Sequence, residues 1–213
     1  MEKGWLLFIL LASTVIGNAQ YIVKLTDVEM ETETKQIREY FKKVNKEKTS
    51  YQQSRTFWSY DEELREKYGD SEYEYNEEGN EEQEELTYSK NEETILIVRD
   101  TRISKFQVPY NETIHEEYYF QNNELVFFYS KTHETLTGPD YMDYTDMEEG
   151  GRAVEIRIYL KNKKIFKYLI KEAVTSSEDE IDASDLLLDM ENKSLDIETL
   201  TDDDFNPIVL YLN

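Results

Sequence analysis

The chain has 213 residues, the length of one domain with or without tails. Its 24 Lys and Arg stand against 47 Asp and Glu, a formal charge of −23 that argues against nucleic acid and anionic lipid, because phosphate binding needs clustered cations. With 17 Tyr and 9 Phe it has the aromatic content for a folded core, and with no Cys it has no disulfide, thiolate nucleophile, Cys-bound zinc or iron–sulfur cluster.

Residues 5–12, Trp5-Leu6-Leu7-Phe8-Ile9-Leu10-Leu11-Ala12, form an unbroken apolar run behind Lys3. Gly17 and Ala19 place small residues three positions and one position before a cleavage point after Ala19. A spanning helix needs about 20 apolar residues, and this run is shorter. Residues 1–19 are therefore expected to be a cleaved signal peptide. The mature chain is expected to start at Gln20, to be periplasmic or secreted, and to carry no transmembrane segment. No Cys follows the run, so lipid anchoring is not expected.

Thr26 followed by Glu29 is a capping box, and Ile37, Tyr40, Phe41 and Val44 then fall on one helical stripe. These features predict a helix over 27–47 whose other faces are basic, with Lys35, Arg38, Lys42, Lys43 and Lys46. After it the period changes from 3.6 to 2. Residues 51–60 read as a strand, and 86–90 with 94–99 as a hairpin around Asn91-Glu92-Glu93. Residues 115–121 and 124–130 flank Asn122-Asn123, a two-residue turn signal because Asn tolerates positive φ. Simple alternation there would put Leu125, Phe127 and Tyr129 on one face, with Val126 and Phe128 on the other. Residues 153–160 and 165–170 form a last hairpin across Lys161-Asn162-Lys163-Lys164. In it Val154, Ile156, Ile158 and Leu160 alternate with Glu155, Arg157 and Tyr159, predicting one buried and one solvated face. No repeat of fixed period is visible beyond this succession of hairpins.

The expected fold is α+β: an N-terminal amphipathic helix packed on a curved antiparallel sheet of successive hairpins, spanning 20–172. Residues 173–213 are expected to be an acidic C-terminal segment with a short helix at Asp185-Leu186-Leu187-Leu188-Asp189-Met190 and an edge strand over 207–212. Residues 61–86 and 171–213 each hold 13 acidic and two basic side chains, so most of the net charge sits in these two stretches. Arg152, Arg157, Lys161, Lys163, Lys164, Lys167 and Lys171 face only Glu155 between 152 and 171, and that basic patch, with the basic faces of the 27–47 helix, most simply neutralises acids of the same molecule, an anionic protein surface or polysaccharide being the alternative partner.

No catalytic motif stands out. There is no G-x-S-x-G, H-E-x-x-H or phosphate-cradling G-x-x-x-x-G-K-[ST], and only His115 and His133 are available as imidazoles. His115 is expected on the solvated face of a strand rather than as a general base. Asp140, Asp143, Asp146 and Glu148 lie before Gly150-Gly151 and offer oxygens to calcium, though without EF-hand spacing. No other cofactor is expected. Core packing under the helix accounts for part of the aromatic hairpins; an outward aromatic row would be a binding surface, for which Tyr119, Tyr129, Arg157 and Tyr159 are the candidate residues, because Tyr gives amphipathic contact area at low entropy cost.

The residues Tyr118-Tyr119-Phe120-Gln121-Asn122-Asn123-Glu124-Leu125-Val126-Phe127, followed by Glu155-Ile156-Arg157-Ile158-Tyr159-Leu160 and Lys163-Lys164-Ile165, carry a likeness. Over about residues 27–170 the chain resembles small exported proteins, often lipoproteins, of Bacteroidetes-type bacteria. The shared motifs are structural, so the resemblance implies an exported protein and assigns no functional residue. The expected function is an exported non-enzymatic binding or interaction module of the bacterial cell envelope, its partner a protein or polysaccharide. A periplasmic carboxylate-dependent hydrolase and an acidic calcium-responsive protein are the alternatives.

Overall fold

In a computed structural model of the chain, the structure describes residues 21–59, 79–105, 110–136, 150–176 and 182–212. Helix α1 (Asp27–Glu47) opens with the Thr26 hydroxyl accepting from the Glu29 amide, while the Glu29 carboxylate takes the Thr26 amide at 2.9 Å. The strands follow: β1 (Gln52–Ser59), β2 (Gly79–Lys90), β3 (Glu93–Lys105), β4 (Tyr110–Gln121), β5 (Glu124–Leu136), β6 (Gly150–Lys161), β7 (Lys164–Ser176) and β8 (Lys193–Ser194). They form one antiparallel sheet whose spatial order is the chain order. Helix α2 (Ala183–Asp189) lies between β7 and β8, and two short helices, α3 (Asp202–Phe205) and α4 (Val209–Leu212), end the described chain. Among the described residues no helix is long and apolar enough to cross a membrane.

Three of the hairpins are the same object. Each turns on two residues with positive φ: Asn91 (53°) and Glu92 (69°), Asn122 (54°) and Asn123 (62°), Asn162 (52°) and Lys163 (59°). Two consecutive left-handed residues give a turn whose twist matches the flanking strands. Each hairpin then carries one bulge at the same place, where Tyr88, Tyr119 and Tyr159 precede the register shift and Ile95, Val126 and Phe166 are the extra residues opposite. The loops expected around Asn91-Glu92-Glu93 and Lys161-Asn162-Lys163-Lys164 are thus two-residue turns. The bulge also corrects the expected alternation in β5. An extra residue shifts the phase, so Leu125 and Phe128 share one core while Phe127 joins the other.

Both sheet faces are covered. On one face α1 sets Ile37 and Val44 against Leu96, Val98, Tyr119, Phe127, Tyr159 and Leu169. Two polar anchors fix it to the β4–β5 hairpin: Tyr40 donates its hydroxyl to the carbonyl of Phe120, and Asn45 Nδ2 donates to Tyr119 Oη at 2.8 Å. On the other face Leu200, Phe205, Ile208 and Leu212 close over Tyr118, Phe128, Ile158, Ile165 and Tyr168. The expected solvated face of β6 is therefore corrected. Tyr159 is 2% exposed and Ile158 fully buried, because α1 shields one face and the C-terminal segment the other.

The C-terminal expectations need correction as well. Strand β7 runs on to Ser176, so no boundary falls at residue 172, and Val209–Leu212 is helical rather than an edge strand. The edge position belongs to β8, paired with β7 at Leu169 and Ile170. Part of the acidic stretch 61–86 is structured too. Within β2, Glu84 meets Arg55 at 2.6 Å and Glu85 meets Arg99 at 3.0 Å, while residues 60–78 lie outside the described residues.

Candidate functional site

The sheet register places three successive rungs of side chains on the face that α1 covers. The first runs Leu96, Tyr119, Phe127, Tyr159 and Lys167, the second Val98, Glu117, Tyr129, Arg157 and Leu169, and the third Asp100, His115, Lys131, Glu155 and Lys171. Helix α1 lies over the first rung and part of the second. On its flank it leaves an open cavity of about 420 Å³, lined by Ile37, Arg38, Phe41 and Lys42 of the helix and by Glu117, Phe127, Tyr129, Arg157 and Tyr159 of the sheet. A volume of this size suits a small molecule or the end of a larger one.

The walls and the rim of this cavity differ in chemistry. Phe41, Phe127 and Tyr159 make an aromatic cluster, Phe41 edge-on to Phe127 with ring centroids 5.7 Å apart and Phe127 tilted against Tyr159 at 4.9 Å. Glu117 accepts from Tyr119 Oη at 2.6 Å and lies 3.4 Å from His115 Nε2. Burial works against its ionisation, but the hydrogen bonds with His115 and Tyr119 outweigh that and hold the carboxyl below the usual range. Glu155 meets Arg157 at 2.5 Å and accepts from Tyr129 Oη at 3.3 Å. Each carboxylate thus has its own hydroxyl and its own cation.

His115 links the second and third rungs. Nδ1–H donates to Asp100 Oδ1 at 2.7 Å, Nε2 faces Glu117, and its ring lies 6.3 Å from that of Tyr129. The hydrogen bond to Glu117 leads in pushing its pKa up to about 9, helped by Asp100 and opposed by burial. The imidazole is therefore cationic at neutral pH and has no lone pair with which to act as a base. It is also half-buried rather than on a solvated face. Because the folded chain binds this proton more tightly than the unfolded one, the stability it contributes is complete below about pH 6.5 and is lost as the pH rises toward 9. We expect His115→Gln to cost about 1 kcal/mol at pH 6, solvent screening at 38% side-chain exposure keeping it well below the full shift. Urea unfolding of both proteins across pH 6 to 10 checks this. The two curves should converge at the alkaline end, and a deficit independent of pH would assign the loss to packing against Tyr129.

The four residues singled out by sequence separate here. Tyr129, Arg157 and Tyr159 line the cavity together. Tyr119 does not. It is fully buried beneath α1, its hydroxyl held by Asn45 and Glu117, so it supports the site from below and presents no outward face. Asp140, Asp143, Asp146 and Glu148 lie outside the described residues. Among the described residues no group of three or more His, Asp or Glu is arranged to hold a metal ion. Sequence pattern gives no signal for Glu117, and it places Arg38 and Lys42 only on the basic faces of a helix that neutralise acids of the same molecule or meet an anionic partner. The available signal was their position beside the stripe residues Ile37 and Phe41, where a long cation reaches the edge of whatever the stripe covers.

A second groove of about 620 Å³ takes in Asp100, His115 and Lys131 of the third rung and lies between Arg55, Glu82, Glu84 and Arg102 on one side and His133 and Ser184 on the other. It is polar and mixed in charge, with Arg55 already paired to Glu84. Much of the basic patch of β6 and β7 is likewise paired. Arg152 meets Glu172 at 2.9 Å and Glu134 at 3.3 Å, and Lys161 meets Glu33 of α1 at 2.6 Å. No protein-family model, curated protein or solved structure matches the chain.

Proposed function

We propose that the chain is an exported, non-enzymatic binding module of the bacterial cell envelope, and that its ligand sits in the cavity on the flank of α1. The observation that carries this reading is an open cavity with aromatic walls and a polar rim, in which the ionisable groups of the sheet are already paired to one another. A binding seat needs shape and fixed polar groups. A hydrolytic site needs a carboxyl kept protonated or an imidazole kept neutral. Glu117 stays ionised and His115 stays protonated, which favours binding over acid–base chemistry. Export and kinship with the Bacteroidetes-type proteins belong to the same proposal, supported by the apolar leader and by the hairpin motifs over 118–127 and 155–165.

The test is saturation-transfer NMR on the purified protein with a panel of neutral saccharides, acidic saccharides and small amphipathic acids. At least one member is expected to bind, and Tyr129→Ala is expected to weaken it about tenfold while leaving the unfolding midpoint close to that of the parent. Tyr129 is half-buried at the rim and its hydroxyl bond to Glu155 is long, so its loss is tolerable to the fold. Binding by no member, or binding unaffected by Tyr129→Ala, would sink the proposal.

A further inference from the structure

We propose that the ligand of the α1-flank cavity is an organic carboxylate with a flat apolar body, the body lying against Phe41, Phe127 and Tyr159 and the carboxylate meeting Arg38 and Lys42. This deepens the binding reading above and rests on it. Charge is unbalanced at this cavity. The one sheet carboxylate among the lining residues, Glu117, is engaged by Tyr119 and His115, and Glu155 on the next rung by Arg157 and Tyr129. On α1, Glu33 is held by Lys161 and Glu29 by the capping box. Arg38 and Lys42 have no carboxylate partner among the described residues, although the protein as a whole carries a charge of −23.

These two cations are also placed against each other. Four residues apart on a helix, they are neighbours, and like charges at that spacing repel. A third cation joins them from β7. Lys167 sets its ammonium 5.8 Å from the centre of the Tyr159 ring, and burial, then the charge of Arg38, holds its pKa below the ordinary lysine value. Among the described residues, three cations thus stand without a carboxylate partner, Arg38 and Lys42 lining the cavity and Lys167 against its Tyr159 wall. An anion entering there relieves the repulsion, while its apolar part displaces water from the aromatic walls. A neutral sugar satisfies the walls but leaves the cations as they are. A bare inorganic anion does the reverse.

The probes are 1-naphthoate and its neutral counterpart 1-naphthylmethanol, titrated into the full chain by calorimetry at low and at moderate salt. Naphthoate is expected to bind at least tenfold tighter than the alcohol and to weaken as salt rises. The variant R38Q/K42Q, altered only at exposed helix positions, should lose at least tenfold for naphthoate and keep its affinity for the alcohol. Equal affinity for both probes, unchanged in R38Q/K42Q, overturns the carboxylate assignment and leaves the binding cavity standing. Binding of neither probe, together with no saccharide binding in the panel above, overturns both. Naphthoate binding unchanged in R38Q/K42Q but lost in Tyr129→Ala overturns the assignment of the charge to α1.

Discussion

Phe205→Ala is expected to lower the unfolding free energy by about 4 kcal/mol, within the usual range for removing a buried phenyl ring. Leu210→Ala, five residues on, is expected to change it by less than about 0.5 kcal/mol. The two residues share one acidic C-terminal segment and differ in where they point. Phe205 is 1% exposed, its ring 5.9 Å from that of Tyr21 and packed in the core that holds Tyr118, Phe128 and Tyr168. Leu210 is 82% exposed. The larger loss follows because the segment forms the second cover of the sheet, and a hole left there opens onto fully buried side chains of β4, β5 and β6. Urea unfolding with matched m-values checks it. Equal and small effects would mean that this face is stable without its cover.

That segment marks the boundary of what the sequence made legible. Phe205, Ile208 and Leu212 have helical spacing, but Asp202-Asp203-Asp204 precede them and Pro207 interrupts them, so local pattern favoured an extended edge. What decides their state is the apolar row Tyr118, Phe128, Ile158 and Tyr168, which needs a cover and lies far away in sequence. The bulges escaped for a different reason. A bulge adds one residue to a strand without any distinctive residue type, and a period-2 reading then runs out of phase beyond it. By contrast Thr26 with Glu29, and the Asn122-Asn123 turn, are legible because their chemistry is local: a hydroxyl and a carboxylate closing a helix end, and a side chain that tolerates positive φ.

The candidate site divides in the same way. Tyr129, Arg157 and Tyr159 were visible as residues of aromatic hairpins, and the register brings Tyr129 directly opposite Arg157. Tyr119 carries the same residue type on the same rung as Tyr159, yet it is fully buried with its hydroxyl held by Asn45 of α1 and by Glu117, so its role is to hold Glu117 rather than to meet a ligand. Residue type alone cannot separate the two. The position of α1 does, since the helix sets Asn45 on Tyr119 and leaves the cavity beside Tyr129, Arg157 and Tyr159. Arg38 and Lys42 become part of the site only through that placement.

The second large effect is expected at Arg99→Met. Arg99 lies on the face under the C-terminal cover, donating to Glu85 at 3.0 Å, to Glu116 at 3.4 Å and to Tyr118 Oη at 3.3 Å. Its guanidinium stands 5.4 Å from the centre of the Tyr118 ring. Glu116 is the exposed weakness of this arrangement in energetic terms. Its side chain is only 13% accessible, and burial pushes its pKa above the ordinary value even with Tyr118 and Arg99 pulling it down. Removing the guanidinium leaves that carboxylate buried without its counter-ion. We expect a loss of about 3 kcal/mol at pH 8, the low end for an uncompensated buried charge because a quarter of the Arg99 side chain is accessible. The sign of the pH dependence follows from the raised pKa. An acid that holds its proton more tightly when folded destabilises the fold above its folded pKa and ceases to do so as the pH falls through it. The deficit of Arg99→Met relative to the parent should therefore shrink between pH 8 and pH 5. Adding Glu116→Gln to Arg99→Met should recover at least half of the loss at pH 8, because the amide keeps the shape and removes the charge. A deficit that persists unchanged in the double variant would place the cost at Glu85 and the Tyr118 ring, and would show that Glu116 tolerates its charge without Arg99.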